Sequence, residues 1–373
     1  MLGFTDSLSS LASYAKPELL SIEAAINAKN AEGGIDGHKI KLLSADSGEV
    51  GSGEAAANVI KFQSEGASAV LGMIISNDCH ATVPTAERKK IPILCWDTGT
   101  EELQPPNEFV YNTSGLEAQE AQMTVEFMDT KVHKSGKKVM AIVTNQNIGS
   151  EFWAEVMKEK AEADGWTVPG VETMSESATT IGPEASQVIS QHPDAVAAEL
   201  FAQFNEPLAQ ALKGAGMEPP IMGTHGTPEY NVLKNSDYPF YTPMIATPLQ
   251  PEAPGQTPQT EALIAAYKKM GLSTAEQMNQ GNQSNNLPAP YIALAGLEKC
   301  GYPCPSEKMA ETLNDLGPVE VPGILGKGQW EITPTDHAGL KYSDVYAWDS
   351  QKNYLVPEAK ELKQTPVTEL PGL

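Results

Sequence analysis

Polar side chains follow an apolar run at Ser76, Asn77 and Asp78. The run at residues 69–75 is typical of a strand inside a parallel sheet, and a helix is predicted to follow it. A serine hydroxyl beside the free backbone N–H groups of a helix start can bind a carboxylate. Ser76 is therefore a candidate anion-binding residue or an ordinary helix cap. Asn77 and Asp78 line the same turn, where Asp78 would repel an anion or accept a hydrogen bond from an amine.

Motifs for catalysis are absent from the sequence. It contains no Gly-x-Ser-x-Gly, no Walker loop and no Gly-x-Gly-x-x-Gly after a strand. The run Gly-Ser-Gly at 51–53 precedes a helix but lacks the lysine and the spacing of a phosphate loop. The six histidines are scattered without ligand spacing, and His80 beside Cys79 is weak evidence for a metal site. We expect a binding protein rather than an enzyme, with no cofactor and no metal.

The balance of charge limits the possible partners. The chain of 373 residues has a net charge of −23, which argues against nucleic acid and against an anionic membrane surface. One small anion stays compatible, since local donors decide its binding. The length favours two domains, and no apolar run approaches the roughly 20 residues that span a bilayer. Residues 1–4 are too short for a signal peptide, so we expect the sequence to begin at the first strand of the mature protein.

The four cysteines form two sets of different character. Cys300 and Cys304 flank Gly-Tyr-Pro, a turn that can bring two Cβ atoms together. We predict a disulfide there, which requires an oxidising compartment. Cys79 and Cys95 are less clear, because one follows a strand and the other lies in the next strand. Unpaired small core residues are the alternative, above all for Cys79 and Cys95.

Strands and helices alternate along the chain, and the pattern starts twice. The first block ends near residue 111 and the second begins at 117. Such alternation implies parallel sheets with right-handed crossovers, and two blocks imply two lobes. The Pro-rich stretch 238–257 suits a chain crossing between lobes rather than a core element. Helices are predicted over residues 18–30, 54–65, 82–90, 117–131, 150–163, 183–190, 207–214, 260–269, 290–299 and 306–313.

The order of short motifs resembles the type I solute-binding proteins of the branched-chain amino acid ABC-transporter family. The resemblance runs from residue 3 to residue 348, and the order is more specific than any single motif. The motifs are a Gly-Gly-Ile-x-Gly turn at 33–37, a strand ending in Asp46, Leu71-Gly72 followed by Ser76, Ile91-Pro92-Ile93 followed by Thr-Gly-Thr at 98–100, and a late helix from Pro290-Tyr291 to Gly301.

The resemblance implies an α/β fold of two Rossmann-like lobes with parallel sheets, joined by a three-crossing hinge. We assign residues 1–115 plus 250–328 to the N-terminal lobe and residues 116–249 plus 329–373 to the C-terminal lobe. A small molecule would bind between the lobes, which close about the hinge. Such a receptor would be periplasmic or a cell-surface lipoprotein. It would be a monomer that delivers its ligand to the membrane permease of an ABC transporter.

The resemblance also indicates which side chains face the ligand. In similar family members, the serine that matches Ser76 holds the ligand's carboxylate. A hydroxyl at the position of Thr98 or Thr100 completes that clamp. A turn built by residues 97–99 is the alternative. Tyr14, in the loop after the first strand, would cap the cleft. The other predicted contacts follow strands of the second block, and they are Asn147, Ile148, Gln203, Phe204 and His225. For Phe204, burial in the core is the alternative.

His225 departs from the family's pattern and bears on the chemistry of the ligand. Amino-acid-binding relatives carry Asp or Glu in this loop, which pairs with the ligand's ammonium group. An imidazole cannot replace that carboxylate without a large loss. We therefore predict a small carboxylate with an apolar or aromatic body and no α-amino group. Alternatively, Glu229 receives the ammonium group of a branched-chain or other hydrophobic amino acid, or His225 only shapes the loop.

Three functions are compatible with this fold class. The first is a transport receptor, the second is a ligand sensor on the same fold, and the third is a hydrolase of similar architecture. The lack of a catalytic set disfavours the hydrolase. Transport and sensing share a fold and need a partner assay to separate them. Transport is the commoner use of the family, and we favour it.

Overall fold

The computed structural model describes residues 1–132, 136–175, 177–226, 237–250, 258–271, 286–323, 330–352 and 354–370. Ten helices and fifteen strands are found within these ranges. In chain order they are β1 (Leu2–Asp6), α1 (Ala12–Glu32), β2 (Leu42–Asp46), α2 (Glu54–Ser64), β3 (Ala69–Gly72), α3 (Ser76–Lys89), β4 (Ile93–Cys95), β5 (Val110–Asn112), α4 (Ala121–Lys131), β6 (Lys138–Asn145), α5 (Ile148–Ala163), β7 (Trp166–Thr167), β8 (Val171–Met174), α6 (Gly182–Ser190), β9 (Ala195–Glu199), α7 (Ala202–Gly214), β10 (Ile221–Gly223), β11 (Phe240–Met244), α8 (Pro258–Lys269), α9 (Pro288–Cys300), α10 (Ser306–Leu313), β12 (Gly317–Val319), β13 (Trp330–Ile332), β14 (Tyr342–Asp349) and β15 (Tyr354–Lys363).

The first lobe is built on a five-stranded sheet in the order β2-β1-β3-β4-β5, and all of its pairs are parallel. Its inner strands β3 and β4 are buried along their whole length, because helices cover both faces. One core contains Phe4, Leu71 and Leu94 together with residues of α1, α8 and α9. A second core, around Val59 and Phe62 of α2, covers the opposite face.

The second lobe is built on a larger mixed sheet. Its order is β15-β14-β11-β10-β9-β6-β7, and β8 also pairs with β6. The pairs from β6 to β11 are parallel, whereas β14 and β15 join the edge in antiparallel orientation. Two cores lie on its faces, one around Trp153 of α5 and the other around Leu208 of α7. The parallel α/β architecture predicted from the sequence is confirmed, and the antiparallel edge is an addition.

Three chain segments connect the two lobes. The first joins β5 to α4 and contains the 3₁₀ turn Glu117–Glu120, the second joins β11 to α8, and the third joins β13 to β14. The first and third segments touch. Gly115 has a φ of +86°, and a Cβ there would lie 2.5 Å from Cδ2 of Leu340. A larger residue at position 115 would therefore disturb both segments. The residue boundaries predicted for the two lobes remain a prediction.

Three helices begin at least five residues earlier than the sequence predicts. Each contains a proline after its first turn, namely Pro17 in α1, Pro84 in α3 and Pro207 in α7. The predicted starts lay near these prolines, because proline is normally confined to the first turn of a helix. Tyr14 consequently lies in α1 and not in the loop after β1. Residues 203 and 204 likewise belong to the first turn of α7.

The Pro-rich stretch 238–257 was predicted to be a lobe crossing, and part of it is a core strand instead. β11 lies inside the second sheet, parallel to β10 and antiparallel to β14, with Pro243 opposite Val345. Proline removes one backbone donor but still permits an extended strand. Residues 251–257 lie outside the described part of the chain. The strands β12, β13 and β15 were not predicted.

Two disulfides stabilise the first lobe. The predicted bridge between Cys300 and Cys304 is confirmed, with an S–S distance of 2.02 Å. Cys79 and Cys95, whose pairing the sequence left open, also form a disulfide, with an S–S distance of 1.99 Å, and are not unpaired core residues. This second bridge links α3 to the end of β4. In the described ranges, no helix combines the length and apolar character needed to cross a membrane.

Candidate ligand-binding site

A cavity of about 40 Å³ lies between the lobes. It is found beyond the carboxyl ends of strands from both sheets, where open α/β sheets bind their ligands. The first lobe, the first crossing segment and the second lobe all contribute to its walls. The lining residues are Tyr14, Ile74, Ile75, Trp96, Asp97, Glu117, Asn147, Ser150, Glu199, Leu200, Phe201 and Gly226.

Aromatic rings form two walls of this cavity. Tyr14 of α1 and Phe201, which precedes α7, face each other across the lobes with ring centroids 5.8 Å apart. Trp96 follows β4, and its ring centroid lies 5.2 Å from that of His225, which follows β10. Both pairs join one lobe to the other. The cleft therefore offers flat apolar surfaces to a ligand.

The first turns of α3 and α5 meet across the cleft. The Gly149 amide donates to Oγ of Ser76 over 3.0 Å, and the Ile148 amide donates to Oδ1 of Asn77 over 3.2 Å. The Ser76 hydroxyl also donates to Oδ1 of Asn147 over 3.5 Å. Asn147 in turn caps α5 by accepting from the Ser150 amide. These bonds hold the two lobes in a closed arrangement.

Asp97 occupies the centre of this contact. Its side chain follows β4 and is only 7% exposed. An ideal Cβ on Gly149 would lie 2.6 Å from Oδ2 of Asp97, so the carboxylate packs directly on the start of α5. Burial and, next, the charge of Glu199 raise the pKa of Asp97 to about 8, although hydrogen bonding from Ser76 and Glu117 lowers it in part. Near neutral pH this group therefore holds a proton easily.

Three further carboxyl groups surround His225. Its Nδ1 lies 2.8 Å from Oε1 of Glu120, and its Nε2 lies 3.6 Å from Oε1 of Glu117. Burial would lower the pKa of His225, but the charges of Glu120 and Glu117 outweigh it and raise the pKa to about 8. Burial and the charge of Asp97 raise the pKa of Glu117 well above its usual range. Burial also raises the pKa of Glu199, whose Oε2 accepts from Asn145 over 3.2 Å.

The structure brings some of the predicted contact residues to the cavity and not others. Tyr14 and Asn147 line it, while Ser76, Asn77 and Ile148 form the adjoining contact between the lobes. Their roles toward a ligand remain predictions. The other predicted contact residues do not line the cavity. Asp78 accepts from the Gly51 amide, Thr98 accepts from Asn112, Gln203 is exposed, Phe204 packs in the core of the second lobe, and His225 lies behind Trp96.

Two predictions fall outside the part of the chain that can be described. The backbone of Thr100 begins the 3₁₀ turn Thr100–Glu102, but its side chain is not among the described ones. Glu229, the alternative ammonium partner, lies in the range 227–236, which is likewise outside. The choice between Thr98 and Thr100 as the second hydroxyl therefore stays open.

The sequence did not single out the acidic lining of the cleft. Asp97 was considered only as part of a possible turn, and Glu117 and Glu199 were not considered as site residues. The sequence could have identified two of them, because Asp97 and Glu199 stand at or just beyond the carboxyl ends of β4 and β9, where ligands of open α/β sheets bind. Glu117 lies in the first crossing segment. Only the closed arrangement of the lobes brings it beside the other two.

A separate group, outside the cavity lining, has the spacing of metal ligands. In the described ranges, His80, Glu101 and Glu102 are the set whose ligand atoms lie within 4.8 Å of one another. Nδ1 of His80 lies 2.5 Å from Oε1 of Glu102 and 3.2 Å from Oε1 of Glu101. The nitrogen is thus already engaged by both carboxylates. An ion pair accounts for these contacts.

A protein-family comparison assigns the chain to a family. The family model described as periplasmic binding protein matches residues 2–353 of the 373. The chain belongs to the periplasmic binding protein family. The resemblance predicted from the order of motifs is thereby confirmed, and membership implies an extracytoplasmic location and the binding of a small solute. A search of curated proteins found no matching relative.

Solved structures share the fold of this periplasmic binding protein at low identity. A fatty acid ABC transporter substrate-binding protein from Thermomonospora curvata has a TM-score of 0.82 at 16% identity, over 99% of this chain and 94% of its own. A solute-binding protein from R. palustris in complex with 4-hydroxybenzoate has a TM-score of 0.81 at 17% identity, over 100% and 99%. A branched-chain amino acid transporter protein from Thermus thermophilus with bound valine has a TM-score of 0.81 at 13% identity, over 97% and 96%.

Proposed function

We propose that this chain is the receptor of an ABC importer. It captures a small organic solute between its closing lobes and presents it to a membrane permease, without converting it chemically. The observation that carries this proposal is the cavity lined jointly by both lobes and the first crossing segment. A site that exists only when two lobes meet couples binding to a change of shape. A permease can distinguish the closed, ligand-bound shape from the open one.

The structural neighbours support this role and a carboxylate-bearing class of solute. Their printed ligands include 4-hydroxybenzoate and valine, and one neighbour is named for fatty acids. Each of these compounds carries a carboxylate. A monomer, either free in the periplasm or tethered by a lipid, suits the delivery of such solutes. A sensor on the same fold would need a signalling partner, and none of the described contacts favours that alternative.

A thermal-shift screen tests the receptor function. Amino acids, aliphatic and aromatic carboxylates and small amides are added one at a time, and a compound that binds only the folded protein raises its melting temperature by mass action. X-ray scattering on each hit then measures whether the radius of gyration decreases as the lobes close. A hit that leaves the dimensions of the open protein unchanged would contradict the proposal.

A matched pair of serine variants connects the screen to the cleft. Ser76→Ala removes the acceptor of the Gly149 amide and should weaken the binding of any hit by about 5- to 10-fold, corresponding to about 1 kcal/mol for one hydrogen bond. Ser186→Ala is the control, because this exposed hydroxyl bonds only within α6, to the Gly182 carbonyl. Equal affinities for the two variants would mean that the contact between α3 and α5 does not form on binding.

A further inference from the structure

The ion pair of His80 joins two segments of the first lobe. His80 lies in the second turn of α3, and Glu101 and Glu102 belong to the 3₁₀ turn that follows β4. A tetrahedral metal ion, with ligands at about 2.0–2.2 Å, holds its ligand atoms about 3.3 Å apart. Nδ1 of His80 lies 3.2 Å from Oε1 of Glu101 and 2.5 Å from Oε1 of Glu102. A small outward movement of one carboxylate therefore makes room for such an ion.

One buried oxygen of this group has no hydrogen-bond partner among the described residues. It is Oε2 of Glu102, whose side chain is only 4% exposed. Oε2 of Glu101 approaches the same place, since an ideal Cβ on Gly99 would lie 2.7 Å from the Glu102 oxygen and 2.8 Å from the Glu101 oxygen. Buried polar atoms are normally satisfied. This exception belongs to a carboxylate that already contacts an imidazole, and it indicates that the group receives a cation.

The charges of the group are not balanced by the protein. In the described ranges, the ion pairs of Glu101 and Glu102 are both with His80. One imidazole can balance only one of two neighbouring carboxylates, so the repulsion between the two glutamates remains. A divalent cation would balance both carboxylates and would use the imidazole nitrogen as a third ligand.

The two segments are held in place by contacts that do not involve the three side chains. The disulfide between Cys79 and Cys95 joins α3 to the end of β4, immediately beside His80. The Asn107 amide donates to the Glu102 carbonyl over 2.8 Å and restrains the backbone of the turn. A metal site is more precise when its ligands are positioned by such surroundings before the ion arrives.

We propose that His80, Glu101 and Glu102 form a site for a divalent transition-metal ion of the zinc type, with water as the fourth ligand. One imidazole and two carboxylates suit Zn²⁺, whereas Ca²⁺ and Mg²⁺ prefer oxygen ligands alone. None of the three residues lines the solute cavity. The ion would therefore stabilise the first lobe by joining α3 to the 3₁₀ turn, and the proposal is independent of the receptor function.

Calorimetry with metal ions tests the proposal on the unaltered protein, prepared without a histidine tag. Zn²⁺ should bind as one equivalent and on the order of 100-fold more tightly than Mg²⁺. Mg²⁺ measures the loose attraction of any divalent cation to a chain with a net charge of −23. Zn²⁺ should also raise the melting temperature by mass action. Equal affinities for Zn²⁺ and Mg²⁺ would overturn the proposal.

Matched variants locate the ion. His80→Asn and Glu101→Gln should each weaken Zn²⁺ binding by about 10-fold or more. Their controls are His192→Asn and Glu151→Gln, which change exposed residues of the second lobe. His192 has a φ of +48°, which asparagine tolerates. The melting temperature without Zn²⁺ confirms that each variant folds. A Zn²⁺ affinity that is the same in each variant and its control would overturn the assignment.

A crystal grown with Zn²⁺ shows the position of the ion directly. The anomalous difference map should contain a peak between Nδ1 of His80 and the carboxylate oxygens of Glu101 and Glu102. A peak only at another position, such as beside His225, would overturn the proposed site. Solute binding enters none of these measurements, so a negative result would leave the receptor function unaffected.

Discussion

Acidic side chains are buried inside the first lobe and also between the two lobes, and these two regions treat them differently. Asp6 at the end of β1 and Glu18 in α1 lie inside the first lobe, with exposures of 2% and 0%. Asp97, Glu117 and Glu199 lie between the lobes. Burial raises the pKa of the acids in both regions. The two regions differ in the origin of the groups packed around the acids, which come from one lobe in the first region and from both lobes in the second.

Within the interior pair, Asp6 is satisfied by backbone groups of its own lobe. Oδ1 of Asp6 accepts the Ser7 amide over 2.7 Å, and Oδ2 accepts the Ile74 amide over 3.1 Å. The second bond fixes a turn in which Met73 has a φ of +57°, next to the cavity wall. Asp6 thus stabilises one wall of the cleft, whereas Asp97, Glu117 and Glu199 lie on the surface that a solute would meet.

The largest effect is expected from removing the interior acceptor. Asp6→Ala leaves two buried amides unpaired and should lower the free energy of unfolding by roughly 3 kcal/mol. Asp46→Ala is the control, because Asp46 lies opposite Asp6 in the register of β1 and β2 but is exposed. Its cost should stay below about 1 kcal/mol in urea denaturation. Similar losses for both variants would contradict the distinction between buried and exposed acids.

The next effect is a dependence of stability on pH. Burial raises the pKa of Asp6 from 3.8 to about 6 and that of Glu18 well above 4.5. The folded state therefore binds more protons than the unfolded state at intermediate pH. The stabilisation is complete below the unfolded pKa values and is lost as the pH rises through the folded ones. Unfolding free energy should fall by on the order of 2 kcal/mol between pH 4.5 and 7.

Glu18→Gln distinguishes the contribution of the interior acids to this pH dependence from the contribution of the cleft acids. It removes one titrating group of the interior pair and should flatten the decline with pH whether or not a ligand is present. Asp97→Asn removes a titrating group of the cleft instead, and should flatten the decline with pH in the absence of ligand. Urea denaturation at four pH values, with and without ligand, reports both slopes. A Glu18→Gln slope equal to that of the unaltered protein would show that the interior pair does not titrate.

The smallest effect concerns the contact of Asp97 with α5. Gly149→Ala places a Cβ 2.6 Å from Oδ2 of Asp97 and should weaken ligand binding about fivefold, while the unfolding free energy changes by less than about 1 kcal/mol. Gly214→Ala at the end of α7 is the control, since its Cβ would meet nothing within 4 Å. An unchanged affinity in Gly149→Ala would mean that α5 and Asp97 separate in the bound state.

The sequence predicted the architecture because local patterns determine it. Continuous apolar runs indicated the buried strands, and the order of motifs indicated the family. Errors arose where tertiary packing overrode local rules, as at Pro17, Pro84 and Pro207 within helices and at Pro243 within β11. Packing against a sheet compensates for the backbone hydrogen bond that a proline removes.

The site was predicted less well, because its composition depends on two lobes. Ser76, Tyr14 and Asn147 were singled out from their positions after strands or from the family resemblance, and the structure places Tyr14 and Asn147 in the lining and Ser76 beside it. The association of Asp97 with Glu117 and Glu199 was not, since the lobes bring together residues from three distant segments. The sequence shows each acid, but only the closed structure shows that they share one cavity. The reasoning from His225 alone therefore missed the other acids.

The disulfide between Cys79 and Cys95 has a consequence for where the protein can work. It ties the helix that begins at Ser76 to the strand that ends just before Asp97. These two segments contact the second lobe through Ser76 and Asn77 on one side and Trp96 on the other, and the bridge fixes their spacing. Cytoplasmic thiols stay reduced, so the bridge forms only in an oxidising compartment outside the cytoplasm. There it restricts how far the start of α3 can move relative to the end of β4, and this wall of the cleft becomes more rigid than in the reduced chain.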